Sequence, residues 1–215
     1  MKNSAAEAQN PPAQNPIRER ILAAAFQAFT EEGYAATSTL VIATRAKISK
    51  RDLYANFASK QEMLVACIGS RAERIRLPPG LPVPDSRAML ASTLTAFAAK
   101  LVREISHPSV IAAFRLAIAE ATRAPEIAQA LDRVGRAATR NGLAELLAGT
   151  QSAGLLGPGK PSEMAAQYLG LVWQDLMISL LLGVAATPSP VEAEGRASKA
   201  TLAFMRLHPG PAEGR

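Results

Sequence analysis

From Ile17 to Leu64 short apolar-striped runs alternate with turn residues, and no other feature limits the fold of this chain as tightly. Ile21, Leu22, Ala25, Phe26 and Phe29 recur at helical spacing, which buries one face of a first helix. Gly33 ends that helix at a position that favours a left-handed residue. Thr37, Ser38 and Thr39 each carry a hydroxyl able to cap a second helix, whose inner face is Ile42, Ala43 and Ala46. A break falls at Lys47, and Ser49 supplies another cap. The third helix covers Lys50 to Asn56, with Leu53 and Phe57 inward and Lys50, Arg51 and Tyr54 outward. A helix this short is unstable alone, so packing must hold it. Lys60, after Ser59, begins a fourth helix whose positive N-terminus suits a phosphate.

Two short helices around a tight turn, the second one basic, form the layout that places a helix in the DNA major groove. Between Arg45 and Lys60 lie five basic residues and one acid, Asp52. The expected DNA-facing set is Thr37, Ser38, Arg45, Lys47, Ser49, Lys50, Arg51, Asp52, Tyr54 and Lys60. Arg51 can bond a guanine edge bidentately, whereas Tyr54 and Lys60 suit phosphates. Asp52 either accepts from a cytosine amine or caps its own helix.

The segment resembles the N-terminal domain of the TetR family of bacterial transcriptional regulators. The resemblance rests on Ile21-Leu22, Ala24-Ala25, Phe29, Gly33-Tyr34, Ile42-Ala43, Ala46, Ile48-Ser49, Leu53-Tyr54, Phe57 and Ser59-Lys60. It implies a helix-turn-helix over residues 38–57 within a DNA-binding domain over 15–75. It also implies a homodimer and a small-molecule pocket in the C-terminal helices. Two positions depart from the family pattern. Lys47 stands where Gly is usual, which predicts a strained left-handed lysine. Leu40 and Val41 stand where polar residues are common.

At 215 residues the chain suits this domain plus a larger helical one over 76–208. A hydrophobic share of 48 % is ample for a core, and a net charge of +6 favours a polyanionic partner. One cysteine, Cys67, rules out an internal disulfide framework. Residues 1–14 and 209–215 read as a flexible arm and tail. The apolar stretch from Tyr168 to Ala186 is interrupted by Gln174 and Asp175, which makes it a poor membrane span, so the reading is a soluble, cytoplasmic protein.

No β-alternation appears, and the expected class is all-α. Pro and Gly divide the second domain. A helix capped by Asp85 or Ser86 runs to about Ser106, and another runs from Pro108 to Ala124. A third runs from Pro125 to Gly149 or Gly154, and two more cover about Ser162–Ala186 and Pro190–Leu207. Phe114 to Leu131, FRLAIAEATRAPEIAQAL, resembles the AefR-like subgroup of TetR C-terminal domains. Candidate pocket residues are Met89, Phe97, Leu101, Phe114, Ile118 and Met177. Leu169, Trp173, Leu176, Leu180 and Phe204 are the candidate dimer interface. His107 and His208 each precede a proline, with no Cys or carboxylate cluster at metal-ligand spacing, so no metal, cofactor or catalysis is expected. The expected function is a repressor released from a palindromic operator by an apolar or amphipathic effector. The alternatives are an activator or architectural DNA-binding protein, or a helical protein-interaction module.

Overall fold

The computed structural model describes residues 15–78 and 81–210. The expected arm, 1–14, lies outside the described residues, as does most of the expected tail. Every regular element among the described residues is a helix. The chain divides into two compact units with the boundary after Leu64.

The first unit holds α1 (Pro16–Glu32), α2 (Thr39–Arg45), α3 (Lys50–Asn56) and the start of α4 (Lys60–Ile75). Asn15 caps α1, whose buried face is Ile21, Ala24, Ala25, Phe26, Ala28 and Phe29. Gly33 closes it at φ +86, a backbone that side chains with a Cβ rarely adopt. Of the three candidate hydroxyls, Ser38 caps α2, accepting from Val41 N at 3.2 Å. Ser49 caps α3, accepting from Asp52 N at 3.0 Å. The inner positions Ile42, Ala43, Ala46, Leu53, Phe57 and Met63 are all buried. Two seven-residue helices persist here because capped ends and this shared core offset their nucleation cost.

The second unit contains α5 (Arg87–Ile105), α6 (Pro108–Ala119), α7 (Pro125–Ala130), α8 (Ala138–Ser152), α9 (Pro161–Trp173), α10 (Leu176–Leu182) and α11 (Pro190–Leu207). Its core gathers Leu90, Leu94, Leu101, Leu143, Leu147, Tyr168, Val172 and Phe204 from α5, α8, α9 and α11. Ser86 and Ser189 cap α5 and α11, the latter in a reciprocal capping box with Glu192. Glu192's carboxyl is held below its ordinary range by those bonds.

Three helix boundaries differ from the sequence expectation. α6 stops at Ala119, Glu120 O receives both Arg123 N and Ala124 N, and Ala124 leaves the helical region (φ −140, ψ 69) ahead of Pro125. Between α7 and α8 the helix widens to π geometry over Leu131–Ala137. The long apolar helix breaks after Trp173. Gln174 takes φ +44, ψ −123, and α9 and α10 meet at 55°. Arg196 of α11 donates to the carbonyls of Val172 and Trp173 left open by the break. Gly183 ends α10 in the left-handed region, and Arg115 donates to the carbonyls of Leu180 and Leu181. Among the described residues no single helix is long and apolar enough to cross a membrane, although α9 and α10 together would be.

Candidate nucleic-acid interface

The candidate surface is the outer side of α2, the turn and α3. Leu53 is wholly buried, which directs Lys50, Arg51 and Tyr54 of the same helix to solvent. Neither Lys50 nor Arg51 has a side-chain partner among the described residues, so both cations stay available to a polyanion. Lys47, in the turn, is also exposed and takes φ +54, the left-handed region its sequence position predicts. Tyr54 is 48 % exposed, and its Oη lies 3.2 Å from Thr39 Oγ1, which joins the starting turn of α2 to α3.

Several expected contacts are occupied within the unit. Thr37 is only 1 % exposed and donates its hydroxyl to the carbonyls of Gly33 and Ala28 at 2.7 and 3.1 Å. It closes the α1–α2 connection. Lys60 is half-buried, with Nζ 4.4 Å from the Tyr34 ring centroid. It donates to the carbonyls of Tyr34 and Thr37 at 2.7 and 3.1 Å, so its ammonium faces that connection. Ser49 donates to Asp52 Oδ2 at 2.6 Å, which turns the Asp52 carboxylate toward the cap. Ser38 is likewise a cap and exposed. Arg45 forms two ion pairs of 2.6 Å, Nη1 to Glu31 and Nη2 to Glu32, both from the last turn of α1. The Arg45 bond, and then one from Gln27, hold the Glu31 carboxyl below its ordinary range.

Sequence reasoning passed over Arg18 and Asn15. Arg18 stacks 4.0 Å from the Phe57 ring centroid and donates to the carbonyl of Asn56 at 2.9 Å. Asn15 donates to the Asn56 side chain at 3.2 Å. Together they fix the C-terminal end of α3 to the start of α1. Nothing in spacing could reveal them, since the partners stand about forty residues apart in sequence.

In the second unit the candidate pocket residues separate. Phe97 and Leu101 belong to the core, Met177 packs against it, and Met89 is exposed. Phe114 and Ile118 instead line an open groove of about 210 Å³ with Ala117, Ala121, Ala128 and Leu131, rimmed by Asp132 and Arg136. The candidate dimer residues also separate. Phe204, Leu176 and Leu180 are buried within the protomer, Phe204 edge-on to Tyr168 at 5.2 Å between ring centroids. Leu169 and Trp173 are half-buried against the core. The large apolar side chains that α10 and α11 expose are instead Ile178, Leu182, Val191, Leu202 and Leu207.

Comparison with known proteins follows the same division. Residues 21–67 match the family described as bacterial regulatory proteins, tetR family. Residues 92–208 match the C-terminal domain of AefR-like transcriptional repressors. Among solved structures, the Flavonoid-responsive Regulator FrrA is 30 % identical with a TM-score of 0.73, over 91 % of this chain and 98 % of that one. A TetR transcriptional regulator from Agrobacterium tumefaciens is 27 % identical with a TM-score of 0.77, over 93 % of this chain and 97 % of that one. A regulator from Pseudomonas syringae pv. tomato, at 24 % identity and a TM-score of 0.64, shares the fold. No curated protein matches the chain.

Proposed function

Because the chain belongs to the TetR family of DNA-binding transcriptional regulators, we propose that it is a repressor that leaves a palindromic operator when a small effector binds. The observation that carries this reading is α3 itself. It is a capped seven-residue helix that turns Leu53 into the core and Lys50, Arg51 and Tyr54 to solvent. Arg51 reads a base edge, while Lys47 and Lys50 neutralise phosphates. Two subunits present their α3 helices to successive major grooves, about 34–36 Å apart. The apolar side chains exposed on α10 and α11 support a homodimer.

The groove lined by Phe114 and Ile118 supports an apolar or amphipathic effector. A 30 % identical structure whose name describes it as flavonoid-responsive supports a small effector in general terms. Release requires that the effector favour one dimer conformation over the other. The protein then acts in the cytoplasm, where its operator lies.

Fluorescence anisotropy with DNA from upstream of its own gene and with scrambled DNA, at several salt concentrations, tests the reading. Selective binding that weakens linearly with log salt supports it. Absence of binding by both wild type and Arg51→Ala would replace it with a protein-interaction role. A thermal-shift panel without any stabilising compound would remove the effector.

A further inference from the structure

The ion-pair cluster at the ends of α1 and α2 has an electrostatic consequence for the neighbouring DNA-facing surface. Arg45 is the last residue of α2, and Lys47 follows two peptide units later, at most about 7.6 Å away between Cα atoms. Both terminal nitrogens of Arg45 are held by carboxylates, one from Glu31 and one from Glu32. Those acids stand at the C-terminal end of α1, where the helix dipole already disfavours negative charge and no basic residue occupies the last turn. Their compensation comes from Arg45. The three-residue cluster, anchored two residues before Lys47, keeps a net charge of −1.

The surrounding charge is finely balanced. Residues 15–64 carry seven Lys or Arg and five Asp or Glu, a net +2. Neutralising Glu31 and Glu32 would raise it to +4. We propose that Glu31 and Glu32 set the affinity of this unit for DNA of any sequence, by withholding Arg45 from phosphate and placing negative charge beside Lys47. The phosphate-neutralising set is then Lys47 and Lys50, with Arg51 left to the base edge. Lys60 is directed at backbone carbonyls, and Arg45 is a positioning residue that joins α1 to α2. The proposal rests on the DNA-binding reading and adds residues that need not touch DNA. It concerns the term that decides how strongly a regulator is retained on the excess of non-operator DNA.

Glu31→Gln with Glu32→Gln, Arg45→Gln, and wild type would be titrated with a short duplex of arbitrary sequence across about 50–200 mM salt, and each protein's melting temperature recorded. In the double variant a charged phosphate outcompetes neutral amides for Arg45. The double variant therefore binds more tightly at low salt. Its log–log salt slope steepens by about 0.9 per subunit, so a dimer loses roughly tenfold more affinity than wild type across that range. Arg45→Gln leaves two uncompensated carboxylates, so it binds more weakly than wild type with an unchanged slope.

Arg45→Gln with a slope flattened by about 0.9 per subunit would show that Arg45 already contacts phosphate, and would overturn the proposal. An unchanged affinity and slope in the double variant would do the same. If one variant fails to fold, the slope of the other still decides. Absence of binding by all three proteins, to this duplex and to the upstream DNA, would overturn the DNA-binding reading and this inference with it.

Discussion

Tyr168 on α9 donates its hydroxyl to the backbone carbonyl of Leu94 on α5 at 2.7 Å, inside the core of the second unit. Thr201 Oγ1 of α11 lies 2.9 Å from the same oxygen, so one phenol links three helices. Burial pushes its ionisation above the ordinary 10.0, since the interior solvates a phenolate poorly.

Tyr168→Phe leaves Thr201 without that partner and should cost about 1–2 kcal/mol. A melting temperature falls by about 2–4 °C per kcal/mol for a chain of this size. The pH dependence has a definite sign. The folded state favours the protonated phenol, so its stabilisation is complete below pH 10.0 and is lost as pH rises beyond it. Wild type should therefore lose melting temperature above that value more steeply than Tyr168→Phe. Parallel alkaline profiles would remove Tyr168 from the explanation.

Lys47→Gly separates strain from charge at the turn. A non-glycine residue in the left-handed region costs about 1–3 kcal/mol. The variant should melt higher, by up to about 4 °C per kcal/mol recovered. It should bind DNA less tightly, with a salt slope flatter by about 0.9 per subunit. A lower melting temperature would show that Lys47 is held without strain at φ +54.

Arg51→Ala and Lys50→Ala should fail differently. Loss of Arg51 should cost the operator about 1–3 kcal/mol and relax sequence choice at one position, while loss of Lys50 weakens operator and scrambled duplex alike. Competition titration against single-base operator variants measures the difference. If both variants weaken all sequences equally, base reading lies elsewhere on the surface.

Ala121→Trp fills the groove beside Phe114 and Ile118 from an exposed position. DNA affinity should be unchanged, and stabilisation by any compound found in a thermal-shift screen should vanish. At a hundredfold excess over its dissociation constant such a ligand contributes about 2.7 kcal/mol, well within detection. Undiminished stabilisation of Ala121→Trp would move the effector site away from this groove.

Local signals make α3 readable from the residues alone. Ser49 before Lys50, with Leu53 and Phe57 four residues apart, encodes a cap and a buried stripe within a single short window. The turn at Lys47 is legible for the same reason. What escapes depends on residues distant in sequence. The charge run from Arg45 to Lys60 reads as one cationic face, yet Arg45 is claimed by Glu31 and Glu32, and Lys60 by carbonyls more than twenty residues away. Thr37 looks like one of three equivalent hydroxyls until the carbonyl of Ala28 closes over it. The break at Gln174 has no helix-stopping residue, and its open carbonyls are met by Arg196 from another helix. A periodic pattern identifies which face is buried, but which partner arrives there is decided by tertiary packing.

Cys67 is 3 % exposed within α4, and it is the only thiol in the chain. A reagent in solution can alkylate it only while the surrounding packing is open, so its labelling rate reports how often that happens. The sequence thus carries a built-in clock for α4. Wild-type protein should label slowly in native buffer and completely in denaturant, with no engineered cysteine or background site to subtract. Rapid labelling of the native protein would mean that the packing around α4 opens on the timescale of the reagent.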